Sequence, residues 1–205
     1  MIITDIVPVT KQKSRVTTDE QLTFVLYKGE LSHYQLEKNM ELQEDIWNEI
    51  RKLLIKRAKL RAMHLLTKRD YTETELEKKL MQGEYTREAV ESAVAYVKSF
   101  HYLDDARYVE KYMEIYGKSK SQRQLEFELE RKGITRELIR KWKENVEEPQ
   151  EDEKELIRKL LTKRCKMPET ADEKEIRKHY AYLARKGFSN YDIQSVFEEF
   201  FERFS

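Results

Sequence analysis

Three stretches of this chain superimpose without a gap, and that internal repeat limits the folds open to it more than any other feature. LEKKLMQGEYTREAVESAV begins at Leu76, LEFELERKGITRELIRKWK at Leu125 and HYAYLARKGFSNYDIQSVF at His179. In each, a leucine (Leu80, Leu129 or Leu183) closes one helical pattern, and an apolar anchor follows five residues later at Tyr85, Ile134 or Phe188. Thr86, Thr135 or Ser189 then offers a hydroxyl to cap the next helix, whose apolar face opens at Val90, Ile139 or Ile193. The leucines lie 49 and then 54 residues apart, room for three helices per unit and a match to none of the common solenoid periods.

Local signals agree with these boundaries. Thr72 with Glu75, and Ser121 with Gln124, have the spacing of capping boxes at equivalent places in the first two units. Gly133 and Gly187 stand where a helix end needs a left-handed residue. The first unit has Glu84 at the aligned position and Gly83 one place earlier, so its helix is expected to end a residue sooner. Only 5 Gly and 3 Pro occur in 205 residues, too few for the turns of a sandwich or barrel. The charged fraction of 39% would suit a disordered chain, but 12 Tyr and 8 Phe recur at helical spacing, which disorder lacks.

Upstream of the repeats the pattern changes twice. IITDIVPV and LTFVLYKG have strand length and β-branched content, with the polar TKQKSR between them, so a small sheet or hairpin is expected there. From Gln43 to Arg69, Ile46, Ile50, Leu53, Leu54, Ala58, Ala62, Leu65 and Leu66 form one stripe at spacings of three and four, the mark of a single long helix. EEPQEDE, residues 147–153, reads as a linker before the third unit. The expected fold is mainly α: three tandem three-helix repeats, elongated and curved, with a small N-terminal β element. Its boundaries are residues 1–42 for the β-rich extension and 43–103 for the long helix plus first repeat. The second repeat takes 104–147 and the third 148–205.

HYLDDARY, residues 101–108, falls where the first unit hands over to the second. Asp104 is there a natural N-cap, and Asp105 lies in the first turn, where the helix dipole favours a carboxylate. Successive helical residues point about 100° apart, so two adjacent acids at a helix start share a ligand sphere poorly. No HxxxH, HExxH or DxDxD spacing accompanies them, and His33, His64, His101 and His179 are dispersed. No metal, cofactor or catalytic residue is therefore assigned, and the chain is not expected to be an enzyme. Cys165, flanked by Arg164 and Lys166, could have a lowered pKa but is better read as a bystander thiol. One cysteine cannot form an internal disulfide, and no signal peptide or run of 18 apolar residues occurs, so a soluble cytoplasmic protein without membrane attachment is expected.

YLDDARYVEKY, with the ELERKGI stretch and the ARKGFSNYDI stretch, strongly resembles the RecX family of bacterial recombination regulators. YTETELEKKL is similar to that family's first repeat, and the resemblance covers about residues 57–205. Glu84 in place of the usual glycine, and the weakly patterned HYAYL, depart from it. The resemblance implies a non-catalytic array that binds RecA and RecA filaments on single-stranded DNA and curbs their extension and activity in recombination and the SOS response. Direct binding to single-stranded DNA is expected to be weak and non-specific, and the protein to be a monomer.

The formal net charge of +1 gives no global pull on nucleic acid, so an electrostatic footprint has to be a local stripe. Residues 46–103 carry a net +4 against −3 for residues 1–45. Arg136, Arg140 and Lys143 fall at i, i+4 and i+7, apart from the apolar Ile139, Trp142 and Val146. Lys159, Lys163 and Lys166 repeat that spacing in the third unit, and Lys52, Lys56 and Lys59 do so on the long helix. Such stripes can track phosphates; interleaved Glu can equally make them solvated faces. Tyr108, Tyr112 and Tyr116 could stack on unpaired bases or pack a core, and Trp142 reads as core. The alternative function is a sequence-specific DNA-binding transcription regulator built from helix-turn-helix-like units, although base-reading Arg with Asn or Gln sets are sparse in the third helices.

Overall fold

The computed structural model describes residues 1–145, 152–168 and 171–202. The chain divides into two compact units, Met1–Asp104 and Asp105–Ser205.

The first unit opens with a three-stranded antiparallel sheet in the order β1 (Ile3–Pro8), β2 (Lys13–Thr18), β3 (Thr23–Tyr27). Where two strands joined by TKQKSR are expected, the KSR half of that stretch and the following VTT form a central strand between them. The reason is alternation: Ser14, Val16 and Thr18 are buried at every second position, and two of them are polar, so hydrophobicity alone hides the period. The same face carries Ile3, Phe24 and Leu26, all fully buried. A short helix, α1 (Lys28–His33), follows β3 directly, an element absent from the sequence reading.

α2 (Glu44–Leu66) is the long helix expected from its apolar stripe. Ile50, Leu54, Ala58, Ala62 and Leu65 are buried in one core with the sheet face, with the Phe24 and Trp47 rings 5.3 Å apart. α3 (Glu73–Met81) and α4 (Arg87–Ser99) complete this core through Leu76, Leu80, Ala89, Val90, Ala93, Val94 and Val97. Between residues 43 and 103 these are the three helices present, so the second half of α2 is itself the first helix of the first repeat.

The second unit holds α5 (Asp105–Tyr116), α6 (Gln122–Arg131) and α7 (Arg136–Asn145), followed by α8 (Glu153–Arg164), α9 (Glu173–Arg185) and α10 (Asn190–Glu202). Each triplet has its own core, Val109, Met113, Leu125, Leu129, Ile134 and Ile139 in one, Leu156, Ile157, Leu161, Leu183, Phe188 and Ile193 among others in the second. Most of the stretch 147–153, expected as a linker, and Val146 lie outside the described residues; Asp152, near its end, caps α8 by accepting from the Lys154 N–H.

The corner shared by the three repeats forms as the aligned residues require. Thr86, Thr135 and Ser189 hydroxyls accept from the N–H groups of Ala89, Leu138 and Asp192 at 3.3, 3.3 and 3.0 Å. Gly133 and Gly187 sit at φ +90° and +86°, and the Ile134 and Phe188 N–H groups donate back to Leu129 and Leu183, closing Schellman ends. In the first repeat Glu84 takes the left-handed position itself, at φ +58°, after Gly83 and Glu84 donate to Leu80 and Met81. α3 accordingly stops one aligned position earlier than α6 and α9. Thr72 and Glu75 form the full capping box, whereas Gln124 turns its amide to Glu128 and leaves the Ser121 N–H to Lys186 of the third repeat.

That last contact makes Gly187 intolerant of a side chain. A Cβ there would stand 2.6 Å from both the Gln124 Cβ and the Ser121 Oγ, on top of its left-handed backbone. Gly187→Ala should lower stability by at least about 1–2 kcal/mol. Gly29, inside α1 with no neighbouring atom within 4 Å, is the control: Gly29→Ala should be neutral or stabilising by up to about 1 kcal/mol. Urea unfolding of both variants checks the pair.

Candidate nucleic-acid and filament interface

Because α2 turns its apolar residues inward at spacings of three and four, Lys52, Lys56 and Lys59 share the opposite side of the helix. From Arg51 to Leu66 the helix has six Lys and Arg and no acid. Arg51 pairs with Glu88 and Arg57 with Glu30, both carboxylates brought in from other elements. Lys52, Lys56 and Lys59 have no carboxylate partner among the described residues; the Lys59 ammonium stands 5.0 Å from the Tyr96 ring centroid. A phosphate could therefore approach this face without displacing an existing ion pair.

The α7 stripe differs. Arg136, Arg140 and Lys143 do share a side of the helix, away from buried Ile139 and half-buried Trp142, but each has an acid beside it. Arg136 binds Glu130 through Nε at 2.7 Å, Arg140 lies 3.7 Å from Glu144, and Lys143 pairs with Glu126. Exposed pairs of this kind are worth about 0–1 kcal/mol, so a phosphate competes with them rather than being barred. In the third repeat Lys159 and Lys163 are exposed on α8, but Lys166 is not on the helix. Cys165 has an extended backbone (φ −99°, ψ 101°), so α8 stops at Arg164, whose carbonyl the Pro168 ring would meet if the helix ran on through it. The helical i+7 register expected for Lys166 is thus broken.

The three tyrosines of α5 divide between the two readings. Their rings run in series, with centroids 6.1 and 4.6 Å apart. Tyr108 and Tyr112 pack against the core of the second repeat, and the Tyr112 hydroxyl donates to Glu128. Tyr116 is more open, with the Lys120 ammonium 4.6 Å from its centroid. Glu128 also accepts from Lys120 and from Gln124 at 2.8 Å. Burial alone would raise its pKa, but the bonds from Gln124, Lys120 and Tyr112 outweigh burial and hold it at about 2. Burial and the adjoining carboxylate push the Tyr112 hydroxyl well above its usual range.

α5 begins at Asp105, so Asp104 occupies the residue before its first turn. Among the described residues no group of three His, Cys, Asp or Glu is placed to hold a metal ion. His33, His64 and His101 are exposed and His179 is buried, as is the Cys165 thiol. His101 adopts φ +55° and closes α4, with the His101 and Tyr102 N–H groups donating to Lys98 and Val97. That turn leaves Phe100 and Tyr102 exposed with their rings stacked 6.0 Å apart, which sequence periodicity does not reveal because the residues lie beyond the helix. No helix among the described residues is long and apolar enough to cross a membrane.

Comparison with known proteins matches these repeats directly. The family model for the first three-helix domain of RecX covers residues 58–104, and that for the third three-helix domain covers residues 151–197. The regulatory protein RecX of Trichlorobacter lovleyi is 35% identical over 147 residues, 68% of this chain and 93% of that protein. The chain belongs to the RecX family. RecX of Caldanaerobacter subterraneus subsp. tengcongensis is 32% identical over 142 residues, 69% of each protein. A crystal structure of a regulatory protein RecX shares the fold over 98% of both chains, at a TM-score of 0.56 and 24% identity. RecX from Lactobacillus salivarius does so over 73% of this chain and 97% of its own, at 0.56 and 19%. The first alignment is long enough to include the N-terminal sheet, whereas the matched RecX domain models begin after it.

Two outcomes test the local chemistry. Glu128 has a folded-state pKa below its ordinary 4.5, so its stabilisation is full above about pH 4.5 and is lost as pH falls toward 2. Glu128→Gln should cost about 1–3 kcal/mol at pH 7, with the gap from the parent narrowing below pH 4 in urea titrations. For Asp104 we propose a capping role: Asp104→Ala should cost about 1 kcal/mol and Asp104→Asn almost nothing. Loss of binding in Asp104→Asn at unchanged melting temperature would give this residue a chemical role instead.

Proposed function

We propose that this chain binds RecA and RecA filaments on single-stranded DNA and restrains their extension and activity in recombination and the SOS response. It does so in the cytoplasm, as a monomer, by binding and without a catalytic step, metal or cofactor. The observation that carries this reading is the 35% identity to a regulatory protein RecX across 93% of that protein's length. The repeats give it a physical basis: like three-helix units on one chain can engage more than one filament protomer, and covalent linkage raises the effective concentration of each later contact.

Single-stranded DNA contact in this reading is weak and sequence-independent, carried by Lys52, Lys56 and Lys59, and by Arg136, Arg140, Lys143, Lys159, Lys163 and Lys166. Against direct base reading, the exposed side chains of α4 and α7 include a single amide, Asn145, so the Arg-with-Asn-or-Gln sets that read bases are missing from these two third helices. The deciding experiment is RecA ATPase on single-stranded DNA with substoichiometric amounts of this protein. Inhibition below equimolar ratio is expected; no effect at any ratio would sink the proposal.

Acidic neighbours predict a ranking of the stripes. Replacing Lys52, Lys56 and Lys59 with Gln should weaken random single-stranded DNA binding more than replacing Arg136, Arg140 and Lys143 with Gln. Each lost phosphate contact should also flatten the salt slope by roughly 0.7. Gln is preferred to Glu because reversal on α7 would set carboxylates against Glu130, Glu144 and Glu126. Equal affinities and slopes for both triple variants and the parent would return the stripes to solvated faces.

A further inference from the structure

Between the N-terminal sheet and the helices of the first unit lies a cleft of about 350 Å³, lined by Lys13, Tyr27, Arg57, Arg61, His64 and Tyr85 among others. None of the stripes above includes it. Two acids reach its edge, and both are already committed: Glu30 to Arg57, and Glu84 to Arg15 of β2. Glu84 also holds the left-handed backbone that builds the α3–α4 corner beside the cleft. Lys13, Arg61 and His64 are left facing the same space with no ion pair and no side-chain hydrogen bond among the described residues. The Lys13 ammonium and the Arg57 guanidinium stand 4.8 and 4.6 Å from the centroid of the Tyr27 ring. Glu30 offsets Arg57, but Lys13 and Arg61 have no carboxylate of their own, and the acid-free run of α2 supplies none.

We propose that this cleft binds a phosphate of a single-stranded nucleic-acid backbone, with Lys13, Arg61 and His64 on the phosphate oxygens. The rim favours a strand over free phosphate. Leu60 is 58% exposed and Tyr27 38% exposed at the cleft, apolar surface that a lone oxyanion would leave wet and that the sugar and base of a nucleotide would cover. The site gives the N-terminal sheet a function of its own, and it does not depend on RecA.

The test uses the full chain without RecA. A labelled oligothymidylate is titrated by fluorescence anisotropy at several salt concentrations, and the same ligand is followed by amide NMR. Lys13→Ala/Arg61→Ala is compared with Lys11→Ala/Lys28→Ala, a charge-matched variant outside the cleft. Lys11, Lys28 and Arg61 are exposed and Lys13 is half-buried, none of the four has an ion pair among the described residues, and circular dichroism checks folding. The cleft variant should bind about fivefold to tenfold more weakly at low salt, with a slope flatter by roughly 0.7, while the control stays near the parent. Parent shifts should centre on Lys13, Tyr27, Arg61, His64 and Tyr85. Equal affinities of the two variants, or shifts that leave these residues silent, overturn the site. Inorganic phosphate or thymidine monophosphate producing the same shifts at lower concentration than the oligonucleotide overturns the strand as its occupant.

Discussion

Every repeat turns on one leucine that water does not reach. Leu80, Leu129 and Leu183 are fully buried near the ends of α3, α6 and α9, and burying each is worth about 1.5–3 kcal/mol. That burial requires the chain to reverse at once, so that Tyr85, Ile134 or Phe188 and then the next helix can close over the leucine. Reversal needs a left-handed residue, and capping of the next helix needs a hydroxyl. The motif is therefore one interaction with four dependants. Its tightness also joins neighbouring repeats: in the second unit the Ser121 N–H bonds to the Lys186 carbonyl, and the bare Gly187 lets that approach occur.

The first repeat solves the same problem without glycine at that position. Glu84 accepts the left-handed strain, typically about 1–2 kcal/mol for a residue with a Cβ, and its carboxylate is held by Arg15 from the central strand. The corner of a helical repeat is thereby tied to the N-terminal sheet. α2 ties the two together a second time: Ile50 and Leu54 and the sheet residues Phe24 and Leu26 share one core with the repeat residues Leu76 and Leu80. Cutting away the sheet would expose apolar surface on α2, so it is an integral part of this unit.

Charge is arranged on the same principle of who stands nearby. α2 and α7 both present basic residues at helical spacing, yet α7 is interleaved with its own and its neighbours' acids while α2 has none between Arg51 and Leu66. Where the fold brings Glu88 or Glu30 to α2, the arginine there is neutralised. Where it does not, the cation remains for something else to bind.

Sequence alone determined the helical corners, the long helix and the family, because each rests on residues close along the chain. A cap is three residues from the N–H it serves, a Schellman glycine four from its leucine, and YLDDARYVEKY is contiguous. The central strand escaped because its buried face is Ser14, Val16 and Thr18, polar residues whose burial depends on what packs over them. Lys166 was misplaced on a helix because the spacing is right and only the chain's extension at Cys165 breaks it. The state of each basic residue was beyond local reading for a stronger reason. Glu30 and Arg57 are 27 residues apart, as Glu88 and Arg51 are 37, so which cations are paired and which converge on an open cleft is settled only when the sheet folds against α2.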